Sequence, residues 1–237
     1  MEINLTGIVG IVGNYGSGKT EVSINLAVSR KRAGVDVRIA DLDLVNPYFR
    51  TREANASLKD HGIDVVLPDK EYLQADLPIV SPAIAGLIRN PAQLTLLDIG
   101  GDDAGATVLS SLADHLRTQK VSLLQVVNPH RPNTDSIAGC LKIKAEIEKA
   151  ARLPVTGLIG NANLIDETTV DVIYEGYEFA NELAIESGLP LEFITVSTGL
   201  LPKIDMERFN CPVLVLERQL VPPWKKAFRL GVKNYAV

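Results

Sequence analysis

The stretch Gly13-Asn14-Tyr15-Gly16-Ser17-Gly18-Lys19-Thr20 decides how this chain is read. It stands between an apolar, β-rich run, Leu5 to Val12, and a run with apolar residues at helical spacing, Glu21 to Ala33. A strand, a glycine-rich turn and a helix in that order aim backbone N–H groups at one point in front of a helix N-terminus, the arrangement that holds a polyphosphate. Gly13, Gly16 and Gly18 permit the close approach of the main chain. Lys19 is expected to reach β- and γ-phosphate oxygens as a point charge. The Thr20 hydroxyl is expected to ligate Mg²⁺, whose octahedral oxygen shell is completed by phosphates and waters. Nucleotide contacts are therefore expected from Gly13, Asn14, Tyr15, Gly16, Ser17, Gly18, Lys19, Thr20 and Glu21, with Lys19 also catalytic. A bare glycine turn between strand and helix is the competing reading.

Composition narrows the field. A chain of 237 residues suits one large α/β domain spanning 1–237. With 46% hydrophobic and 22% charged residues it reads as soluble and globular rather than disordered. A formal net charge of -5 without a basic run leaves no electrostatic footprint for nucleic acid, so no nucleic-acid partner is expected. Cys140 and Cys211 are isolated and far apart, which fits a reducing compartment and offers neither a metal knuckle nor a disulfide framework. Met1-Glu2-Ile3-Asn4 lacks a basic leader, and no apolar run approaches the roughly 20 residues of a membrane span. A cytoplasmic protein is expected.

Beyond the first helix the chain alternates strand and helix. Gly34 reads as a C-cap, and Val35 to Leu42 as a strand ending in Asp41-Leu42-Asp43. Carboxylates at the C-terminal end of a parallel strand lie where such sheets place their ligand crevice. The pair Asp41 and Asp43 is expected to divide between the two sheet faces, leaving one for the phosphates and the other for a helix cap. Asn46 to Arg52 sits where a switch loop is expected, running into a helix through Leu58. Ile63 to Leu67 reads as a short strand, and Leu77 to Arg89, interrupted by Pro78 and Pro82, as a short helix or irregular excursion.

Leu94 to Ile99, followed by Gly100 and Gly101, is a buried strand with an acid near its end. Asp98 is expected to hold a Mg²⁺-bound water, and the Gly101 N–H to sense a γ-phosphate. Ala104–116, 133–151 and 168–187 read as helices; 121–127, 155–160, 191–196 and 213–216 read as strands. The pattern predicts a mainly parallel, doubly wound sheet with helices on both faces, a three-layer α/β/α P-loop fold. Asn128-Pro129-His130-Arg131-Pro132 is either a polar turn or a contact to nucleotide or partner. Cys140 reads as a core residue. The tail 221–237 is expected to pack on the domain through Trp224 and Phe228, with a docking surface as the alternative.

With the loop, the Asp-x-Asp strand end, Asp98-x-x-Gly101 and Asn161 in hand, the chain resembles the MinD/ParA/CobQ-like P-loop ATPases of the SIMIBI class. The resemblance spans most of the chain and is clearest over residues 7–50 and 94–163. It implies that Asp43 polarises the attacking water, that Asp41 lies nearer the metal shell with Thr20 and Asp98, and that Asn161 reads the adenine edge. Three departures bear on function. The lysine that follows the first glycine of that family's loop, and reaches a partner subunit's nucleotide, is replaced by Asn14; this weakens the case for an ATP-sandwich homodimer. No cysteine follows Gly101, so no iron–sulfur cluster is expected. Asn161-Ala162-Asn163-Leu164 lacks the lysine and aspartate of a guanine motif, which favours ATP over GTP.

The resulting expectation is an ATP/ADP-binding protein with slow Mg²⁺-dependent hydrolysis that reports to a protein partner. An ATP-dependent small-molecule ligase or kinase, like dethiobiotin synthetase or the cobyrinate-amidating enzymes, is the alternative. A nucleotide-sensing adaptor that does not hydrolyse is the third reading.

Overall fold

The structure, a computed structural model, describes residues 1–43, 51–67, 82–101 and 103–220. The expectations placed on Asn46 to Arg50, on residues 68–81 and on the tail 221–237, with Trp224 and Phe228, lie outside these residues.

Apolar runs become strands wherever both faces are covered, and here nearly all are. In chain order the elements are β1 Gly7–Val12, α1 Lys19–Arg32, β2 Val37–Leu42, α2 Asn55–Asp60, β3 Asp64–Val66, α3 Pro82–Arg89, β4 Leu94–Ile99, α4 Asp103–Leu116, β5 Val121–Val127, α5 Ile137–Ala151, β6 Gly157–Gly160, α6 Val170–Ser187, β7 Leu191–Ser197 and β8 Val213–Leu216. Among the described residues eight strands form one sheet in the order β3-β2-β4-β1-β5-β6-β7-β8. Every neighbouring pair is parallel. This is the expected doubly wound α/β architecture, with β1 and its loop at the centre.

Strand alternation sorts the core into two layers. Val9, Ile11, Val37, Ile39, Leu94, Leu96, Leu124 and Val126 pack with Val22, Leu26 and Ala27 of α1. Ile8, Val12, Ala40, Leu42, Leu97, Ile99 and Leu123 face the other way, onto Ile84 and Leu87 of α3 and Leu109 and Leu112 of α4. The core of each layer is completely buried at its centre. By the same alternation Asp41 and Asp98 belong to the α1 layer, because they continue the series Val37-Ile39 and Leu94-Leu96.

Three local expectations are corrected. Helix α5 begins at Ile137 rather than near Asn133: Ser136 caps it by accepting from the Gly139 N–H at 3.2 Å, while Asn133 takes a left-handed turn conformation. The glycine after α1 lies one position beyond the cap; Ala33 is the capping residue and Gly34, at φ 84°, carries the left-handed turn. Pro82 does not interrupt a helix but opens α3, where a missing N–H costs nothing. Ile137, Leu141 and Ile147 of α5 pack partly buried beside the buried Cys140 and Ala151, as the periodicity implies.

Candidate functional site

The loop between β1 and α1 is built from glycine conformations that other residues rarely adopt. Gly13, Gly16 and Gly18 have φ of 145°, 73° and 92°. A Cβ on Gly13 would lie 2.5 Å from the Val126 carbonyl oxygen, and one on Gly18 would collide with the Asn161 side-chain nitrogen. The loop is thus seated against β5 and β6. Helix α1 starts at Gly18 with no side-chain cap, so its first turn faces the loop's concavity with main-chain groups alone. Such a helix start favours negative charge in front of it.

Asn14 organises the loop. Its Oδ1 accepts from the Tyr15 N–H at 2.8 Å, its carbonyl accepts from the Ser17 N–H at 3.2 Å, and its Nδ2 donates to the Pro132 carbonyl at 2.7 Å. The Lys19 ammonium, buried at 6% exposure, folds back to donate to the Asn14 carbonyl at 3.0 Å. A Cβ on Gly101 would stand against that same Lys19 Nζ, so Gly101 leaves the space the lysine uses. Tyr15 turns its ring to solvent at 67% exposure, leaving its backbone as the part that lines the loop.

The acidic cluster lies beside Thr20. Asp98 is completely buried; its Oδ2 accepts from the Thr51 hydroxyl at 2.7 Å and its Oδ1 from the Ser23 hydroxyl at 3.4 Å. The Thr20 side chain also hydrogen-bonds Asp98. Burial, and then the charge of Asp41, push the Asp98 carboxyl up to about 7, against the opposing pull of Thr51, Thr20 and Lys19. Asp41 pairs with Asp98 in the β2–β4 register and is itself fully buried. Asp43 is 5% exposed, and its N–H donates to Asp41 Oδ1 at 3.1 Å. The expected division of Asp41 and Asp43 between the faces does not follow from strand alternation, because residues two apart in a strand share a face; Asp43 lies one residue beyond β2, with its N–H bonded to Asp41 Oδ1.

Asn161 supports the loop from the far side. Its Nδ2 donates to the Ser17 carbonyl at 2.6 Å, and its Oδ1 accepts from the Thr195 hydroxyl at 2.6 Å. Glu21 is turned away from the loop. Its carboxylate accepts from the Gln219 and Leu220 N–H groups at 2.6 and 3.1 Å and from Asn25 Nδ2 at 3.1 Å. Burial raises its pKa. Only the main chain of Glu21 remains to meet a ligand.

The structure thus gathers Gly13–Thr20, Asp41, Asp43, Asp98, Gly101 and Asn161 at the C-terminal edge of the sheet. It adds Ser23 and Thr195, which no motif announced, since a buried threonine or serine has no spacing signature of its own, and it brings Thr51 from the expected switch loop and Arg131 from the turn after β5 to the same region. Cys140 is fully buried with its thiol pushed up to about 12 by burial and by Asp135, and Cys211 is raised to about 11, so neither is a thiolate nucleophile. Among the described residues no helix is long and apolar enough to cross a membrane.

No protein-family model and no curated protein sequence matches the chain. Solved structures do. The cell division protein FtsY of Thermotoga maritima superposes with a TM-score of 0.56 at 21% identity, over 83% of this chain and 65% of that one. The signal recognition particle 54 kDa protein of Aeropyrum pernix, solved in complex with GDP, gives 0.53 at 20% identity, over 82% of this chain and 42% of that one. A nucleotide-binding protein of Archaeoglobus fulgidus, solved in complex with ADP, gives 0.51 at 20% identity, over 86% and 87%. The chain spans less than two thirds of the length of the first two. These likenesses bear on architecture alone, and what the three proteins share with this chain is a parallel sheet with helices on both faces, a P-loop NTPase-like α/β fold.

Proposed function

We propose that the chain binds a purine nucleoside triphosphate with Mg²⁺ at Gly13–Thr20, takes ATP in preference to GTP, and hydrolyses it slowly. The observation that carries this reading is the meeting of Lys19, Thr20 and Asp98 at the mouth of a glycine loop that opens into an uncapped helix. A hydroxyl bonded to a buried carboxylate is a donor set suited to Mg²⁺, which keeps most of its shell for phosphate and water. When bound, Mg²⁺ supplies charge neutralisation at the phosphoryl oxygens.

The chain's own residues do the rest. Lys19 leaves the Asn14 carbonyl for a phosphate oxygen, a short swing for a flexible side chain. Thr20 and Asp98, with Asp41 behind them, would hold Mg²⁺, and Asp43 would orient water. Asn161 keeps its second amide N–H for the N7 acceptor of a purine. The segment Asn161-Ala162-Asn163-Leu164 has no carboxylate to pair with guanine. Within the P-loop fold we assign the chain to the MinD/ParA/CobQ-like ATPases, on Asn161 and the Asp-x-Asp strand end.

The output of such a site is conformational. Thr51 ties the 3₁₀ turn Thr51–Ala54 to the carboxylate that Thr20 also contacts. A change in the metal shell would therefore move this turn and the Gly100–Gly105 segment, and alter a surface read by a protein partner. With Asn14 in place of the trans-acting lysine, a homodimer is not required for hydrolysis, and a cytoplasmic setting suits the two buried thiols. The test is ATP affinity and turnover of wild type and Lys19→Ala. The variant is expected to lose at least about tenfold in affinity, the order expected for a lost charge-assisted contact; undiminished binding overturns the reading.

One observation favours a second reading. Beside Gly101 lies a small cleft of about 100 Å³, lined by Val12, Gly13, Ile99, Leu109, Glu146 and Ile147. A cleft next to the glycine loop is where a small-molecule ligase or kinase would seat its acceptor, and one of this size admits only a few non-hydrogen atoms. Substrate-stimulated ADP release without free phosphate would select it.

A further inference from the structure

The loop that follows β5 is held against the phosphate loop by the Asn14 Nδ2 bond to the Pro132 carbonyl at 2.7 Å. It is braced internally by the Thr134 hydroxyl, which donates to the Asn128 carbonyl at 2.8 Å, and by the Arg131 N–H, which donates to the same carbonyl at 3.2 Å. Its neighbour is fixed too, since Asn128 Nδ2 donates to the Asn163 carbonyl at 2.9 Å. This clasp lays Arg131 across Gly16: a Cβ on Gly16 would stand 3.5 Å from Arg131 Nε, 3.7 Å from its Cδ and 3.8 Å from its Cζ.

The guanidinium lies there without a counter-charge. Arg131 Nε is buried and has no hydrogen-bond partner, and no carboxylate pairs with the group among the described residues. Burying a guanidinium nitrogen without a partner is costly, and the cost is recovered when an anion arrives. Five donors in a rigid fork suit a phosphate better than a carbonyl. Gly16 is required by its φ of 73° rather than by the arginine, since a Cβ there would meet the Arg131 side chain only in ordinary van der Waals contact.

We infer that Arg131 is a phosphate-contacting residue supplied in cis, filling from within one chain the electrostatic role that a lysine in the Asn14 position would serve across a dimer. Asn14 is then a positioning residue: it gives up the charge and delivers the loop that carries one. This inference rests on the nucleotide reading above. It adds that the site is electrostatically complete in the monomer, with specificity for polyphosphate over nucleoside.

The experiment is calorimetric titration of wild type, Arg131→Ala, Arg131→Lys, Asn14→Ala and Lys19→Ala with ATP and with GTP in excess Mg²⁺, then with the nucleoside of the tighter binder. Arg131→Ala is expected to bind the triphosphate about tenfold or more weakly, as for one lost charge-assisted contact, with nucleoside affinity unchanged. Arg131→Lys should recover part of the loss, because a charge remains although the fork does not. Triphosphate affinity in Arg131→Ala within twofold of wild type, while Lys19→Ala loses binding, overturns this inference and leaves the nucleotide reading standing. Equal weakening toward nucleoside and triphosphate also overturns it, since that marks a merely structural loop residue. Failure of the wild type to bind either triphosphate overturns both readings together. If Arg131→Ala does not fold, Arg131→Lys and Arg131→Gln read the same contrast between charge kept and charge removed.

Discussion

Asp41 and Asp98 stand directly opposite one another on β2 and β4, both completely buried, at the edge of the sheet where the glycine loop opens. Two buried acids one strand apart raise the cost of ionising both, and Asp98 bears it.

Stability should therefore depend on pH with a definite sign. In the folded protein the Asp98 carboxyl sits at about 7 against 3.8 for the free group, so between these values the folded state holds the extra proton. Stability is then lost as pH rises through that window, and the loss is complete above about 7. Asp98→Asn, which cannot ionise, should flatten this dependence and make the nucleotide-free protein more stable than wild type at pH 8 by an amount on the order of a few kcal/mol. Urea melts of both proteins at pH 5 and pH 8 measure it; a wild-type-to-variant gap that is the same at both pH values contradicts the assignment.

Thr51→Val separates the hydroxyl's contribution from the burial term. The Thr51 bond holds the carboxyl down, so its loss should move the Asp98 titration higher still. The variant should also be destabilised more at pH 8, where an ionised acceptor loses its donor, than at pH 5; about 1–3 kcal/mol is expected at the higher pH. A carboxyl-carbon NMR titration follows the shift directly.

Two glycines of similar backbone geometry should respond differently to alanine. Gly18 at φ 92° has the Asn161 side chain where a Cβ would go, while Gly34 at φ 84° has nothing within 4 Å. Gly34→Ala should cost only the left-handed strain, about 1–2 kcal/mol. Gly18→Ala should cost that and displace Asn161, with a larger loss of stability and of nucleotide binding. Thermal melts and nucleotide titration of the pair distinguish them, and equal losses would count against the loop geometry.

Asn161→Ala leaves the Ser17 carbonyl and the Thr195 hydroxyl without their buried partner, at an expected cost of about 1–3 kcal/mol. Thr195→Val should reproduce the stability loss in part, while sparing the Nδ2 bond to the loop. If Asn161 also reads purine N7, Asn161→Ala lowers ATP and GTP affinity alike, because both bases present that acceptor, and Thr195→Val does not.

Much of this was legible in the sequence because it is local. The glycine spacing, the strand ends at Asp41 and Asp98, and the apolar periodicity of α1 and α5 are written in consecutive residues, and the sheet carries them to one edge. Ser136 was visible as a helix cap, and the longer reading of α5 passed over it. The parity of Asp41 and Asp43 was equally visible, since a period of two keeps them together. Other relationships were not local. Thr51 meets Asp98, Arg131 meets Gly16 and Asn14 meets Pro132 because the order β2-β4-β1-β5 makes neighbours of segments far apart in the chain. No motif announces such pairs, because each consists of an ordinary residue made consequential by what the fold sets beside it.

The carboxylate of Glu21, one residue past Thr20, grips the N–H groups of Gln219 and Leu220, and Asn25 one turn further on exchanges two hydrogen bonds with Glu217. A helix turn whose side chains hold Glu217, Gln219 and Leu220 joins the start of α1 to the end of β8. Tension applied at Leu220 would be delivered to the first turn of α1 within a single residue of Thr20, and a ligand that stiffened that turn would stiffen this anchorage.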